Sequence, residues 1–271
     1  MNGSGHGANH SLKSLRRMTT DTQQAGTPMR QPLRPWTDPH AEQKRAAAEA
    51  AVALVTDGMA VGLGTGTTAW FVIEALAARV RTGLSIVAIP TSERSGAQAT
   101  AGGIRLTSFA ERRRLNLTID GADEIGRDSL DLIKGLGGAL LREKIVAAAS
   151  DRLVIVADGS KLVDRLGTKT PLPVEVVSFG WETTADRIER LGGRPNLRSG
   201  TDGAPFRTDG GNLILDCAFG SIADPAALAG DLAQVVGVIE TGLFVGMADL
   251  ALVAGQGGVQ RLERASGQPA P

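Results

Sequence analysis

The sequence predicts an α/β fold: a Rossmann-like, mostly parallel sheet covered by helices, with a second, smaller α+β domain. Three observations predict it. Short apolar runs at 59–63, 85–89, 115–119, 130–133 and 153–157 have the length of buried strands. Between them, 69–80 and 138–149 carry the helical period, and buried strands alternating with helices imply a parallel sheet covered on both faces. Beyond Pro171 and Pro173 the texture changes to closely spaced short elements, the mark of a separate α+β unit.

Taken in order, residues 1–37 are rich in Gly, Ser, Thr, Gln and Pro without apolar periodicity, so they are expected to be a disordered N-terminal extension. Their basic residues make a targeting peptide conceivable; a flexible extension, or a start placed upstream of the true one at Met18 or Met29, is the preferred reading. Asp38-Pro39 then reads as a cap and first helical residue opening a helix over 41–55. The larger domain is expected to span 38–170 and 243–264, and the small α+β domain 171–242. Within the latter, strands are expected at 174–177, 194–197, 213–217 and 238–241, and helices at 182–191 and 225–235. An apolar stretch at 250–254 and a short helix near 259–262 return to the larger domain.

Composition narrows the function. Of 271 residues, 42% are hydrophobic and 21% charged, enough for a sizeable core. The 29 basic and 29 acidic residues balance, so no overall field favours nucleic acid or a membrane surface, and an anionic ligand must be met locally. Cys217, the only cysteine, excludes an intrachain disulfide and a multi-cysteine metal cluster; it reads as a small buried residue in a reducing compartment. No apolar run approaches the roughly 20 residues that span a bilayer, and the chain is expected to be cytoplasmic. There is no tyrosine, and His6, His10 and His40 all lie near the amino terminus, so proton transfer falls to carboxylates, lysines or water.

In an open α/β sheet, ligands bind outside the carboxyl ends of the strands, where helix amino termini present free N–H groups. The residues just past each strand end are therefore informative. After 59–63 comes Gly64-Thr65-Gly66-Thr67-Thr68, either an anion cradle suited to phosphate or a tight turn capped by threonine. Strand 115–119 runs into Asp120-Gly121-Ala122-Asp123-Glu124, three acids whose burial and repulsion would raise a carboxyl pKa. Lys134-Gly135-Leu136-Gly137-Gly138 sets a lysine at a strand-to-helix turn, placed to oppose the acids or stabilise an oxyanion. Glu143 comes on the next helix, looking into the same cleft or standing as a solvated charge. Strand 153–157 ends in Asp158-Gly159-Ser160-Lys161. Lys134 and Lys161 are two of only six lysines against 23 arginines, which hints at point contacts to an oxyanion or phosphate.

At these residues the sequence resembles the ribose-5-phosphate isomerase A family. The stretches that carry the likeness are GLGTGTTA (62–69), PTSERS (90–95), LTIDGADEI (117–125), KGLGGALLREK (134–144), VADGSK (156–161) and LGTKTPLPVEV (166–176), with weaker likeness at LGGRP, GNLILD and TGLF. It covers about residues 40–262. The resemblance implies an aldose-ketose isomerase that interconverts ribose 5-phosphate and ribulose 5-phosphate through an enediolate, with no cofactor and no metal. It implies Glu143 as the base, with Asp120, Asp123 and Lys134 handling sugar oxygens. It makes Thr65, Gly66, Thr67, Thr68, Gly121, Ala122, Gly135, Leu136, Gly137 and Lys161 substrate contacts. Lys44 falls where the family places a basic residue near phosphate, beside its reading as a solvated helix charge. Two departures stand out: Leu136 narrows a turn often lined by glycine, and Thr67 stands where serine is frequent, keeping the hydroxyl. A homo-oligomer, dimer or tetramer, is expected, with the small unit as its interface.

Two rivals are weaker. A dinucleotide-dependent oxidoreductase would need glycine at Thr67 and an acid where Pro90-Thr91 stands. A sugar-phosphate sensor of a transcription regulator would need a DNA-binding module, for which the first 37 residues are too short and unpatterned.

Overall fold

The computed structural model describes Met1 and residues 37–264; the readings made for 2–36 lie outside the described residues. The chain runs α1 (Ala41–Val52), β1 (Ala60–Leu63), α2 (Thr67–Arg81), β2 (Val87–Pro90), α3 (Glu93–Ala101), β3 (Arg105–Leu106), β4 (Leu117–Asp120), β5 (Glu124–Gly126), β6 (Leu132–Ile133), α4 (Leu140–Ala148) and β7 (Leu153–Asp158). It continues through β8 (Leu162–Val163), β9 (Leu172–Val176), α5 (Trp181–Arg190), β10 (Arg194–Leu197), β11 (Leu213–Ala218), α6 (Pro225–Ala233), β12 (Val238–Thr241), β13 (Leu243–Phe244), β14 (Leu250–Gly255) and β15 (Gly258–Glu263).

Seven strands form the main sheet in the order β15-β14-β7-β4-β1-β2-β3. All neighbours are parallel except the β14–β15 hairpin at one edge. Every residue of β1, β4 and β7 is buried, as a sheet covered on both faces requires. From β1 the chain builds outward through β2 and β3, then jumps back to add β4 and β7 on the other side. The order therefore reverses between β1 and β4, and in such sheets the crevice outside that reversal is where ligands sit.

A second sheet, β10-β11-β9-β12, is antiparallel throughout. Its apolar cluster joins Val174 and Leu215 to Ile188 of α5 and Leu232 of α6, and extends to Ile133, Val163 and Leu243 of β6, β8 and β13. A third, small sheet, β13-β6-β5-β8, was not anticipated. It claims β6, which the sequence reading placed in the parallel sheet as 130–133; Leu130 instead takes a positive φ of 56° in the turn before it. The segments α3, β3, β5 and β8 were also not anticipated, being too short or too polar to show a period.

Two further corrections have physical causes. The apolar pair Val259 and Leu262 suggests a helix turn, yet this segment is β15, paired antiparallel to β14 across a tight turn at Gly255–Gly258. An unpaired strand edge offered ladder partners that outweigh a weak local pattern. At the other end, α1 begins at Ala41 with His40 as its cap residue and no side-chain cap. The Asp38 carboxylate accepts instead from the His40 N–H at 2.8 Å and from Lys44 Nζ at 2.5 Å. Cys217 is buried, as expected, and burial together with Asp216 pushes its thiol up to about 12.

Ile155, in the middle of β7, is fully buried in the cluster between the main and third sheets. Ile155→Ala should lower the unfolding free energy by about 2–5 kcal/mol, read as a shift of the denaturant midpoint at constant m-value.

Candidate active site

The polar residues that stood at one strand end after another in sequence meet at the β1–β4 reversal. Asp120 is the last residue of β4, and its side chain turns toward the loop after β1. That approach depends on Gly64: a Cβ there would lie 2.0 Å from Asp120 Oδ1 and 2.7 Å from Asp120 Cα. With the space left open, Asp120 Oδ1 accepts from the N–H of Gly121 (2.7 Å) and of Thr65 (3.2 Å).

Lys134 enters from the turn after β6. Its Nζ lies 3.0 Å from Asp120 Oδ2 and 3.4 Å from Glu143 Oε1, and donates to Gly121 O at 2.6 Å. The ring of Phe244 stands between two ammonium groups, 5.4 Å from Lys134 Nζ and 4.9 Å from that of Lys144. Glu143 sits in the first turn of α4 and is 3% exposed, so the reading as a solvated helix charge is set aside. Its Oε2 has no hydrogen-bond partner among the described residues.

The electrostatics follow from burial. Desolvation raises the Glu143 pKa to about 8, Lys134 pulls it down and Asp120 and Asp123 push it up. Asp120 is also raised, by desolvation that outweighs Lys134 and the backbone N–H groups. For Lys134 burial works against the charge, but Asp120, Glu143 and Asp123 outweigh it and hold the pKa above lysine's ordinary value.

Asp123, half-buried, accepts from the Leu136 N–H at 2.9 Å, so the two glycine-containing turns are stitched together at the cleft. Gly137 closes over the first loop: a Cβ there would lie 3.5 Å from Thr65 Cγ2. Ala122 packs into the cluster beneath the third sheet. The third acid of the run has a different task. Glu124 is buried and accepts from the N–H groups of Gly167 (2.6 Å), Lys169 (2.6 Å) and Thr170 (2.7 Å), holding the 166–170 loop.

The loop 64–68 leads into α2 through Gly66, whose φ of 112° suits glycine. Lys44 is 6% exposed; its Nζ donates to Thr67 Oγ1 at 3.0 Å and lies 3.9 Å from Asp158 Oδ2. The solvated reading of Lys44 therefore fails as well. Thr65 Oγ1 lies within 2.7 Å of Thr91 Oγ1 and donates to Ser92 Oγ at 2.8 Å, while Ser95 Oγ donates to Gly64 O at 2.7 Å. This hydroxyl cluster was missed as part of the site; Ser92 as the cap of α3, three residues before Ser95, was its signal. Lys161 ends the 3₁₀ turn after β7 and makes no ion pair among the described residues, so it is not joined to the Asp120–Lys134–Glu143 group. Cavities of about 240 Å³ by the β14–β15 turn and about 420 Å³ around Gly83 and Arg105 are lined by no carboxylate and lie away from this cluster.

A model of the family described as ribose 5-phosphate isomerase A (phosphoriboisomerase A) matches residues 87–258. The chain belongs to that family. Ribose-5-phosphate isomerase A of Gloeobacter violaceus is 59% identical over 219 residues, 81% of this chain and 95% of that protein. The Gluconobacter oxydans protein of the same name is 54% identical over 222 residues, covering 81% and 96%. The structure of ribose 5-phosphate isomerase A from Methanocaldococcus jannaschii superposes with a TM-score of 0.80 at 37% identity, covering 83% of this chain and all of that one. A D-ribose-5-phosphate isomerase solved in complex with phospho-erythronic acid also gives 0.80, at 36% identity, covering 82% and 98%.

Gly64→Ala tests whether the close approach of β1 and β4 builds the site. It should cost about 1–3 kcal/mol of stability through overpacking and lower kcat/KM more steeply than its loss of folded protein explains, measured by denaturant titration beside a rate assay.

Proposed function

We propose that this protein interconverts D-ribose 5-phosphate and D-ribulose 5-phosphate through an enediolate, with Glu143 as the base. The observation that carries the reading is a buried carboxylate oxygen, Glu143 Oε2, with no hydrogen-bond partner among the described residues, beside a buried ammonium. The phospho-erythronic acid bound by a relative offers a planar carboxylate next to a hydroxylated, phosphorylated chain, the shape of an enediolate.

Glu143 removes the proton from C2, electrons move onto the carbonyl oxygen at C1, and an enediolate forms. Proton transfer between the two sugar oxygens and return of the carbon proton to C1 give the ketose. The three donors of Lys134 face Gly121 O, Asp120 and Glu143. As Glu143 takes up the proton its hold on the ammonium weakens, and Lys134 turns to the oxyanion at the moment charge develops there. Asp120 and Asp123 hold sugar hydroxyls. The phosphate is received by Thr65, Gly66, Thr67 and Thr68 at the start of α2, with Lys44 behind Thr67; Lys161 stands at the neighbouring strand end. Gly121, Ala122, Gly135, Leu136 and Gly137 form the walls.

We place the protein in the cytoplasm, on its single buried, unpaired cysteine; no helix among the described residues is long and apolar enough to cross a membrane. The separate antiparallel second sheet, with α5 and α6 packed on it, supports 171–242 as the smaller domain. It also supports a homo-oligomer through that domain, where Phe179 and Val236 are 93% and 75% exposed.

Glu143→Gln keeps size and hydrogen bonding but accepts no proton, so kcat should fall by about 10² to 10⁴ and exchange of the C2 hydrogen with deuterated solvent should stop. A variant that still exchanges at the parental rate would move the base to Asp120 or Asp123. Because the base works ionised, kcat/KM of the parent should rise with pH toward a midpoint near the Glu143 value of about 8. Stability runs the other way. A carboxyl raised from 4.5 to about 8 contributes stability that is full below 4.5 and lost as pH rises through 8, so the parent should weaken over that window relative to Glu143→Gln.

No group of three or more metal-ligating side chains lies together among the described residues. Activity should survive exhaustive chelation, and a loss reversed by one divalent ion would overturn the metal-free reading.

A further inference from the structure

The turn that carries Lys134 is held from the second sheet as well as from its own. Directly after β10, Arg198 Nη1 donates to the carbonyl oxygens of Gly135 (2.9 Å) and Leu136 (3.1 Å). Its Nε donates to Asp216 Oδ2 at 2.9 Å and its Nη2 pairs with Oδ1, so the guanidinium is anchored on β11 before it reaches the turn. It lies 5.7 Å from the ring centroid of Phe206, and that ring occupies the space beside Gly138, where a Cβ would come within 2.3 Å of Cζ.

One peptide unit joins this clamp to the site. The carbonyl of Gly135 and the N–H of Leu136 belong to the same peptide plane. Arg198 holds its oxygen, and Asp123 Oδ2 accepts from its nitrogen at 2.9 Å. A plane with a donor fixed at one end and an acceptor at the other is polarised and oriented by both. Without Arg198 its oxygen keeps only the Gly138 N–H, at 2.9 Å within the same turn, and Gly135, at φ 108°, carries no side chain to resist rotation.

We propose that Arg198 is a positioning residue for the isomerisation: it fixes the 135–136 peptide so that its N–H holds Asp123 at the cleft and Lys134 stays between Asp120 and Glu143. Lysine cannot replace it, because one ammonium does not grip a carboxylate with a fork and two carbonyls at once. The kinetic consequence rests on the proposed function, but the structural one does not.

The test uses the full chain with Arg198→Ala, Arg198→Lys, Asp123→Asn and the double variant of Ala at 198 with Asn at 123. Arg198→Ala should lower kcat by about ten- to a hundredfold, the scale of misplacement by about an ångström, with a smaller change in KM. The Leu136 amide should exchange with deuterated water at least tenfold faster. The double variant should be little slower than Asp123→Asn, because the clamp acts on catalysis through the carboxylate that Asp123→Asn removes. Should Arg198→Ala not fold, Arg198→Lys gives the same readouts. The proposal is overturned if a folded variant keeps the parental kcat, if the Leu136 amide stays protected, or if the two lesions simply add. A Glu143→Gln enzyme that still exchanges C2 hydrogen would sink the assignment of the base, while the amide measurement would still decide the clamp.

Discussion

The rest of this structure depends on one buried cation between two buried carboxylates. Lys134, Asp120 and Glu143 each lose most of their hydration, a cost of several kcal/mol per ion that only mutual attraction and hydrogen bonds offset. Removing Lys134 would strand two acids in a desolvated space, so the acids depend on the lysine as much as it depends on them. The imbalance of two carboxylates against one ammonium also makes the site reactive. One negative charge too many lies in that space, and the proton affinities of Asp120 and Glu143 both climb.

Such a group must be held by elements that do not yield. Asp120 is the end of a fully buried strand, and Glu143 is on a helix whose Val146 packs close to β1, where a Cβ on Gly62 would meet it at 2.6 Å. Lys134 comes directly after the short strand β6, and its backbone N–H bonds the carbonyl of Gly242 at 2.9 Å. The main sheet supplies Asp120 and the first loop, the third sheet supplies Lys134, and the second sheet reaches over through Arg198. The smaller sheets are therefore structural supports of the cleft as well as appendages to the fold.

The acids after β4 show how residues of one type in one run divide their work. Asp120 faces the lysine, Asp123 faces the opposite turn, and Glu124 turns away to gather three backbone N–H groups of the 166–170 loop. Alternation along the chain at the start of β5 sends neighbours to different sides, so charge content alone does not reveal which carboxylate meets substrate.

Much was legible in the sequence because it is encoded locally. Apolar runs and helical periods place β1, β4, β7, α2 and α4 within a few residues, and the glycine and threonine turn after β1 and the acids after β4 stand at strand ends where the sheet must open, while Lys134 is marked by the glycine-rich turn that follows it. Other features belong to no local window. Among them are the pairing of β15 with β14, the third sheet built from two- and three-residue strands, the burial of Lys44 and Glu143, and the grip of Arg198 on Gly135, 63 positions away in the chain. Periodicity records which side of an element meets water, whereas the partner found on the buried side is settled only when the whole chain closes. Only the tertiary structure therefore decided that Lys44 and Glu143 are buried rather than solvated, and that a strand rather than a helix ends the described chain.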